Sequence, residues 1–271
     1  MNIAIIGTGR MGVTQAHLAR CMHDHILWGA DCSPQARAQF EDIFGVPVYA
    51  DIHSPDYAHV ELLWLTVKDS DIESVARTLS VALPKSVVVL HTSGVLPSTI
   101  IKNHLPNNPC ASFHPLMTCP LCEVSDLECV HAYQGVVHAY EGDESALEIC
   151  RILAARLHAK GVQIQPERKI LYHAAAVFSA NYPTVLIDIS VKLFEECGFS
   201  HEQAIESATL MCQQLLRSIA TSGPCEALTG PLKRRDYKTV EAHIHALADH
   251  PNELLVYQVL KDACLSMLSS L

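Results

Sequence analysis

A glycine-rich turn near the start of the chain constrains the fold more than any other feature. It follows the apolar run Ile3-Ala4-Ile5-Ile6 and has the spacing G-x-G-x-x-G. Between a strand and a helix, the first glycine allows a tight turn, the second lets the backbone approach a pyrophosphate, and the third lets the helix pack closely on the strand. The pyrophosphate then lies at the positive N-terminus of the helix. The pattern therefore predicts a dinucleotide-binding loop formed by Gly7, Thr8, Gly9, Arg10, Met11 and Gly12.

An acidic residue follows the next apolar run. Residues 26–30 form a second run of strand length, which ends at Asp31. In a dinucleotide-binding unit, an acid at this place accepts a hydrogen bond from a ribose 2′-hydroxyl. Because a carboxylate repels a 2′-phosphate, Asp31 predicts NAD or NADP as cofactor, with NAD favoured. The order strand, loop, helix, strand and acid favours this interpretation over an ordinary turn of an α/β fold.

Apolar runs of strand length alternate with segments of helical period as far as about residue 165. Such alternation is typical of an α/β protein with a parallel, doubly wound sheet. We expect strands at residues 1–7, 26–31, 46–50, 60–67, 86–92, 110–113, 135–140 and 162–165. The first three helices are expected from the glycine turn to about residue 21, from 34 to about 44 behind a Ser33 cap, and from 69 to about 79.

The second half of the chain is predicted to be helical. From residue 167 onward no strand or hairpin signal recurs, and segments of helical period continue to the end. We therefore expect a Rossmann dinucleotide-binding domain at residues 1–165 and a helical domain at residues 166–271. Apolar helical faces at 170–196 and 201–220 exceed what so short a domain buries alone, which predicts a homodimer through the helical domain.

Composition excludes several classes of partner. The 271 residues include 19 Lys and Arg against 29 Asp and Glu, so the net charge of −10 argues against nucleic acid and anionic membranes. The N-terminus lacks a signal-peptide pattern, and we expect no window long and apolar enough for a membrane-spanning helix. Eleven cysteines, an odd number in a chain of this length, favour reduced thiols over a disulfide framework. We therefore expect a cytoplasmic protein.

Ligands of open α/β sheets bind outside the carboxyl ends of the strands, so the residues that follow each strand are candidates for function. Thr66 and Val67 follow the fourth expected strand. We expect both to contact the cofactor through their backbone. Asp69 comes two residues later and is predicted to cap the next helix.

Two more polar clusters follow the fifth and sixth expected strands. We predict that Thr92 and Ser93 contact the nicotinamide amide, and that Ser93 and Gly94 contact a substrate carboxylate. The alternative is a turn in which serine and glycine serve only the geometry. His114, fixed by the proline that follows it, is a candidate acid, base or hydrogen-bond donor near the cofactor ring, or else a structural histidine.

These motifs resemble a family of Rossmann-like proteins whose C-terminal helical domain has no assigned function. Besides the glycine turn, the resemblance rests on His91-Thr92-Ser93-Gly94, Ser112-Phe113-His114-Pro115-Leu116, Tyr172-His173-Ala174-Ala175-Ala176, Ser179-Ala180-Asn181-Tyr182 and Leu228-Thr229-Gly230-Pro231. The chain is more distantly similar to pyrroline-5-carboxylate reductase, the deazaflavin-dependent NADP reductases and the β-hydroxyacid dehydrogenases. That similarity implies a Rossmann domain, a helical dimerisation domain, and hydride transfer with a nicotinamide cofactor.

One departure concerns the acid–base residue. In the β-hydroxyacid dehydrogenases a catalytic lysine stands one turn before an asparagine, and with Asn181 in the asparagine role that position here is Val177. His173 lies two turns before Asn181 on the same helical face, and Lys169 is one turn earlier still. His173 and Asn181 are therefore our candidate catalytic residues beside His114, with His173 delivering a proton during hydride transfer. The alternative is a core histidine bonded to a carbonyl group.

Two further segments have open interpretations. The segment 229–236 carries three consecutive cations, and Thr229 and Lys233 are candidate substrate-binding residues, against the alternative of a solvated helix start. The pair Cys119 and Cys122 has the C-x-x-C spacing of a zinc or redox site. Since no second such pair at finger spacing accompanies it, we assign no metal.

The sequence as a whole predicts an NAD(P)-dependent oxidoreductase that transfers a hydride to or from a small polar metabolite, with the active site between the two domains. A noncatalytic dinucleotide-binding or sensing protein is the main alternative, because the lysine of the β-hydroxyacid dehydrogenases is absent. A thiol metal or redox site at Cys119 and Cys122 is the minor alternative.

Overall fold

The computed structural model describes residues 1–117 and 126–269. The chain divides into two compact units, Met1–Phe178 and Ser179–Leu271. The strands are β1 Asn2–Ile6, β2 His25–Ala30, β3 Val48–Tyr49, β4 Leu62–Leu65, β5 Val88–His91, β6 Cys110–Pro115, β7 Val137–Gly142 and β8 Lys160–Gln163. The helices are α1 Arg10–Cys21, α2 Pro34–Phe44, α3 Asp69–Leu79, α4 Thr99–Lys102, α5 Asp126–Tyr133, α6 Glu144–Arg156, α7 Lys169–Glu196, α8 His201–Ser222, α9 Pro224–Ala227, α10 Gly230–Lys233, α11 Tyr237–Ala246 and α12 Pro251–Ser269.

All eight strands belong to one sheet, in the order β3-β2-β1-β4-β5-β6-β7-β8. The pairs among β1 to β6 are parallel, and their order is that of a doubly wound dinucleotide-binding sheet. β7 runs antiparallel to β6, and β8 is parallel to β7. Among the described residues, the predicted α/β class and eight strands are confirmed. The predicted parallel, doubly wound sheet is confirmed for β1 to β6, and β7 departs from it. The hydrophobic period of a strand indicates which of its faces are buried and not the direction in which it runs.

Apolar residues cover both faces of the sheet. On one face, Ile3 of β1 belongs to the same buried cluster as Phe40 of α2. On the other face, Ala4 and Ile6 belong to a cluster that includes Ile72 of α3. Successive side chains of a strand point to opposite faces, so a strand buried on both sides has a nearly continuous apolar run. This is why the apolar run at residues 3–6 indicated a strand.

The glycine turn depends on close backbone approaches. Gly7 has φ +97°, a left-handed conformation that glycine adopts without strain. A Cβ on Gly12 would lie 2.0 Å from the carbonyl oxygen of Gly7, so α1 starts against the turn only because Gly12 has no side chain. Thr66 Oγ1 donates to the Gly7 carbonyl at 2.6 Å, which ties the turn to the end of β4. A Cβ on Gly9, by contrast, would meet nothing within 4 Å.

Helices α2 and α3 begin differently. Ser33 Oγ accepts a hydrogen bond from the Ala36 amide at 3.3 Å, as predicted for a cap, and Gly45 ends α2 with φ +67°. Lys68, rather than Asp69, occupies the cap position of α3, and no side-chain cap bond forms there. The predicted Asp69 cap is therefore wrong. The carboxylate stands at the first helical residue instead, where the positive helix end still favours it.

The regular structure described in the second unit is entirely helical, as predicted. Helix α8 starts with a capping box in which Ser200 Oγ accepts from the Gln203 amide at 3.2 Å and the Ser200 amide donates to Gln203 Oε1 at 3.0 Å. Val191 of α7 packs with Ala204 and Ala208 of α8. Small alanines on α8 let the two helices approach closely.

Helix α7 runs from the first unit into the second, so the predicted domain boundary after residue 165 precedes the division at Phe178. Among the described residues, Pro166–Glu196 is long and apolar enough to cross a membrane, with mean hydropathy 1.3 and 6% of the window buried. This corrects the expectation that no such window exists, which rested on unbroken apolar runs. A mean over the window tolerates scattered polar side chains. One such helix is weak evidence for a membrane, since core helices of soluble proteins pass the same test.

The second and third glycines of the turn, Gly9 and Gly12, should differ in how much they contribute to stability. We expect Gly12→Ala to lower the free energy of unfolding by about 1–3 kcal/mol, because the new Cβ overlaps the Gly7 carbonyl. Gly9→Ala should stay within about 0.5 kcal/mol of the wild type, because its Cβ meets open space and its φ of −71° suits alanine. Denaturant unfolding followed by circular dichroism measures both. Equal stability of the two variants would contradict the described packing of the turn.

Candidate active site

The carboxyl ends of the parallel strands meet at one edge of the sheet in the first unit. Gly7 follows β1, Asp31 follows β2, Thr66 follows β4, Thr92 follows β5, and His114 lies near the end of β6. Ligands of such sheets bind at this edge. The structure therefore places the cofactor residues predicted in this unit along a single edge.

The Asp31 carboxylate connects the glycine turn to the end of β2. Its Oδ2 accepts from the Thr8 amide at 2.7 Å, and its Oδ1 accepts from the Ser33 amide at 2.8 Å. Arg37 Nη1 donates to the Asp31 carbonyl oxygen at 2.9 Å, so a guanidinium stands beside the same segment. Because each carboxylate oxygen has two lone pairs, Asp31 can accept further hydrogen bonds from a ligand.

A cavity of about 520 Å³ lies beside the glycine turn, and we call it the turn cavity. Its lining residues are Ile6, Gly7, Gly9, Ala30, Asp31, Cys32, Ala50, Asp51, Ile52, His53, Thr66, Val67, Lys68, Asp71, Val75 and Thr78. They include the predicted cofactor residues Gly7, Gly9, Asp31, Thr66 and Val67. The volume is within the usual range for small-molecule sites, about 300–1,000 Å³. The cavity is therefore large enough for part of a dinucleotide.

The segment after β5 is a tight turn built around Ser93. The Ser93 hydroxyl accepts from the amides of Val95 at 3.2 Å and Leu96 at 3.0 Å, and the Ser93 amide donates to His91 Nδ1 at 3.2 Å. Ser93 and Gly94 are buried, whereas Thr92 is partly exposed. The alternative interpretation of this cluster, a turn in which serine and glycine serve the geometry, is therefore consistent with the structure. The predicted ligand contacts of Thr92, Ser93 and Gly94 stay predictions.

A lysine and a glutamate are buried together behind this turn. Lys169, the first residue of α7, and Glu141 of β7 are each 1% exposed, and Lys169 Nζ lies 3.5 Å from Glu141 Oε1. Lys169 also donates to Ser112 Oγ on β6. Ser98 donates to Glu141 from its amide at 2.8 Å and from its hydroxyl at 2.7 Å. The pair therefore joins α7, β6, β7 and the segment that leads into α4.

Two histidines converge on Gly94. His114 Nδ1 lies 2.8 Å from the Tyr172 hydroxyl, and the rings of His114 and His173 have centroids 6.4 Å apart. A Cβ on Gly94 would lie 2.8 Å from His114 Nε2 and 2.7 Å from His173 Cδ2. Only glycine allows both rings to come so close to the turn. The structure thus brings together His114, His173 and Gly94 as predicted site residues.

Burial and the charge of Lys169 control the titration of this cluster. Burial above all, and then the positive charge of Lys169, lower the pKa of His114 to about 4. The same two causes lower the pKa of His91 to about 3. Burial lowers the pKa of Lys169 itself to about 8, although Glu141 opposes the shift. A group of perturbed titratable residues at a strand edge is a candidate functional site.

The remaining predicted residues lie elsewhere. Arg10 and Met11 start α1, so they belong to the glycine turn's helix. Asn181 and Thr229 are exposed in the second unit, where Thr229 precedes α10 without a side-chain cap bond. Lys233 Nζ donates to the Glu226 carbonyl oxygen at 2.9 Å and so holds the end of α9. The site roles of Asn181, Thr229 and Lys233 stay predictions, and Cys119 and Cys122 lie outside the described residues.

Sequence reasoning assigned no role in the site to three residues of the cluster: Lys169, Glu141 and Tyr172. A signal for two of them existed, because Lys169, Tyr172 and His173 have the spacing i, i+3, i+4 that places side chains on one helical face. A weaker signal was that Glu141 is a charged residue next to the predicted strand that became β7, whose interior residues are buried. Their meeting depends on tertiary structure, which neither pattern specifies.

Comparisons with known proteins agree with this fold. The model of a family described as a domain of unknown function (DUF2520) matches residues 136–264, and no curated protein matches the chain. A solved structure from Bacteroides fragilis, described as an NADP oxidoreductase, is 17% identical over 98% of both chains with a TM-score of 0.80. A Thermotoga maritima protein is 25% identical over 99% of this chain and 98% of its own, with a TM-score of 0.76.

A 1-pyrroline-5-carboxylate reductase from Streptococcus pyogenes is also similar, with 16% identity over 98% of both chains and a TM-score of 0.64. These likenesses show the fold: a Rossmann-like sheet followed by a helical region. The predicted resemblance to a family whose C-terminal domain has no assigned function, and to pyrroline-5-carboxylate reductase, is confirmed.

Removing one partner of the buried ion pair should destabilise the protein strongly. We expect Lys169→Met to lower the free energy of unfolding by about 3–5 kcal/mol, because Glu141 stays buried without its cation. The double variant Lys169→Met/Glu141→Gln should recover most of this loss, because no charge stays buried and the amide oxygen at position 141 can still accept from Ser98. Lys192→Met, which removes the exposed pair with Asp188 on α7, is the matched control and should have little effect. Equal effects of Lys169→Met and Lys192→Met on the unfolding midpoint would contradict the burial of Lys169.

Proposed function

We propose that this protein is an NAD(P)-dependent oxidoreductase that transfers a hydride to or from a small polar metabolite. One observation carries the proposal: the glycine turn with its cavity and the histidine–lysine cluster occupy the same edge of one sheet. The fold likeness to proteins described as an NADP oxidoreductase and a 1-pyrroline-5-carboxylate reductase supports it. The expectation that the active site lies between the two domains stays a prediction.

The residues present fit a dinucleotide. Gly9 has open space where a side chain would stand, at the N-terminus of α1, which suits a pyrophosphate. Asp31 keeps acceptor capacity for a ribose hydroxyl, and Thr66 and Val67 line the same cavity. A bound nicotinamide ring supplies or accepts the hydride. The chain's own contribution is to bind this group, to orient the substrate, and to hold hydrogen-bonding groups at the reacting end.

The turn cavity favours NAD over NADP. Three carboxylates, of Asp31, Asp51 and Asp71, line it against the single lysine Lys68. A 2′-phosphate would be repelled by this arrangement, whereas a free hydroxyl would be accepted. Arg37 stands near Asp31, but its guanidinium already donates to the carbonyl oxygens of Asp31 and Cys32. We therefore propose NAD(H) as the preferred cofactor.

The helical region is proposed to form a homodimer. Large apolar side chains stay exposed on the second unit: Tyr182, Val185, Ile205, Leu210, Met211, Leu215, Leu216, Leu255, Val259 and Leu260. So many exposed large apolar side chains on one helical region are typical of an interaction surface. We further propose that the protein is cytoplasmic, and that its partners are its substrate and a second copy rather than nucleic acid or membrane.

Nucleotide binding can be separated from folding. We expect NADH fluorescence to report binding to the wild type, and NADPH to bind more weakly. Gly9→Ala should bind at least about tenfold more weakly, because the new Cβ fills the approach of the pyrophosphate while the fold is preserved. Val81→Ala, at an exposed residue beyond the far end of α3, is the control and should bind as the wild type does.

Three outcomes would overturn parts of this proposal. Equal NADH binding by Gly9→Ala and wild type would remove the glycine turn from the cofactor site. Tight NADH binding without oxidation by any of a panel of carbonyl and imine compounds, beginning with 1-pyrroline-5-carboxylate, would favour the noncatalytic alternative. Turnover that survives both His114→Gln and His173→Gln would remove the histidine cluster from catalysis.

A further inference from the structure

The two ring nitrogens of His114 face different surroundings. Nδ1 lies 2.8 Å from the Tyr172 hydroxyl, and the two rings meet edge to face with an interplanar angle of 89°. Nε2 lies on the opposite side of the ring, against the backbone of the Gly94 turn. Whether Nε2 donates or accepts a hydrogen bond depends on which nitrogen carries the proton, and the contact between Tyr172 and Nδ1 determines the position of that proton.

The direction of the hydrogen bond between Tyr172 and His114 follows from elementary chemistry. A phenol is a good donor and a poor acceptor, whereas the unprotonated nitrogen of an imidazole is a strong acceptor. Burial raises the pKa of Tyr172 to about 12, so the phenol keeps its proton. The Tyr172 hydroxyl therefore donates to Nδ1, and the single ring proton of neutral His114 stands on Nε2.

The charge of the ring follows from the groups around it. Burial above all disfavours a positive charge on His114, and Lys169 and His173 of α7 and His138 of β7 act in the same direction. His91 of β5 also interacts electrostatically with His114. His114 is therefore uncharged at neutral pH, and an uncharged imidazole with its proton on Nε2 is a hydrogen-bond donor on that side.

We infer that Tyr172 holds His114 as a hydrogen-bond donor through Nε2, and that the group it recognises at the Gly94 turn is an oxygen acceptor, in a carbonyl or carboxylate of the substrate. Tyr172 is thus a positioning residue that acts through His114. The assignment to a substrate rests on the proposed oxidoreductase function. In that reaction a neutral donor would polarise a carbonyl group without first losing or gaining a proton itself.

The tautomer can be measured in the free protein. With ¹⁵N-labelled histidine and His114→Gln to assign the signal, two-bond nitrogen–proton spectra at neutral pH should show His114 with its proton on Nε2. Tyr172→Phe removes the donor to Nδ1, so the His114 signals should shift toward a mixture of both tautomers. A proton on Nδ1 in the wild type, a charged ring at pH 7, or an unchanged spectrum in Tyr172→Phe would each overturn the inference.

A second arm tests the acceptor class and separates this inference from the proposed function. Acetate should shift the His114 Nε2 signal of the wild type, and chloride at equal ionic strength should not. The shift should be smaller in Tyr172→Phe, and its absence in the wild type would overturn the oxygen-acceptor assignment. NADH binding should be unchanged in Tyr172→Phe, because Tyr172 does not line the turn cavity. Failure of the wild type to bind NADH would contradict the proposed function but would not affect the tautomer result.

Discussion

The buried ion pair between Lys169 and Glu141 is the interaction on which the histidine cluster depends. It joins the first residue of α7 to β7, and through Ser112 and Ser98 it also holds β6 and the segment before α4. Burying two charges carries a desolvation penalty that their attraction seldom exceeds, so the pair needs the added hydrogen bonds of Ser98 and Ser112. The observed pair adds a fixed positive charge beside the imidazoles of His91 and His114.

That charge has a consequence for the chemistry of the site. Burial above all, and then the cation of Lys169, lower the pKa of His91 and of His114, so both stand as neutral hydrogen-bonding groups at neutral pH. The turn cavity has a different character, because the carboxylates of Asp31, Asp51 and Asp71 line it. The same sheet edge therefore carries an acidic half suited to ribose hydroxyls and a half where the neutral imidazole of His114 faces the Gly94 turn.

Local patterns predicted the elements that local physics determines. The glycine spacing predicted the turn because Gly12 must lack a side chain against the Gly7 carbonyl, and Ser33 followed by proline predicted the start of α2. The direction of β7 was not predictable, since alternation along a strand is the same in both directions. The Asp69 cap failed by one residue, because an acidic residue is favoured both at the cap and in the first turn.

The candidate site was predictable only in part, because single residues can be recognised from local patterns whereas contacts between distant residues cannot. His114 and His173 drew attention as single residues near strand or helix ends, and the structure brings them together at Gly94. Lys169 and Glu141 could not be paired from the sequence, because their contact spans 28 residues and two different elements. Only the packing of α7 against the sheet of the first unit makes that contact.

A crystal structure of the protein grown with saturating NADH would show whether the carboxyl edge of this sheet is a dinucleotide site. We expect density for the adenosine in the turn cavity beside Asp31, and for the pyrophosphate on the glycine turn at Gly9. An empty turn cavity, or a dinucleotide bound to another surface, would contradict this expectation.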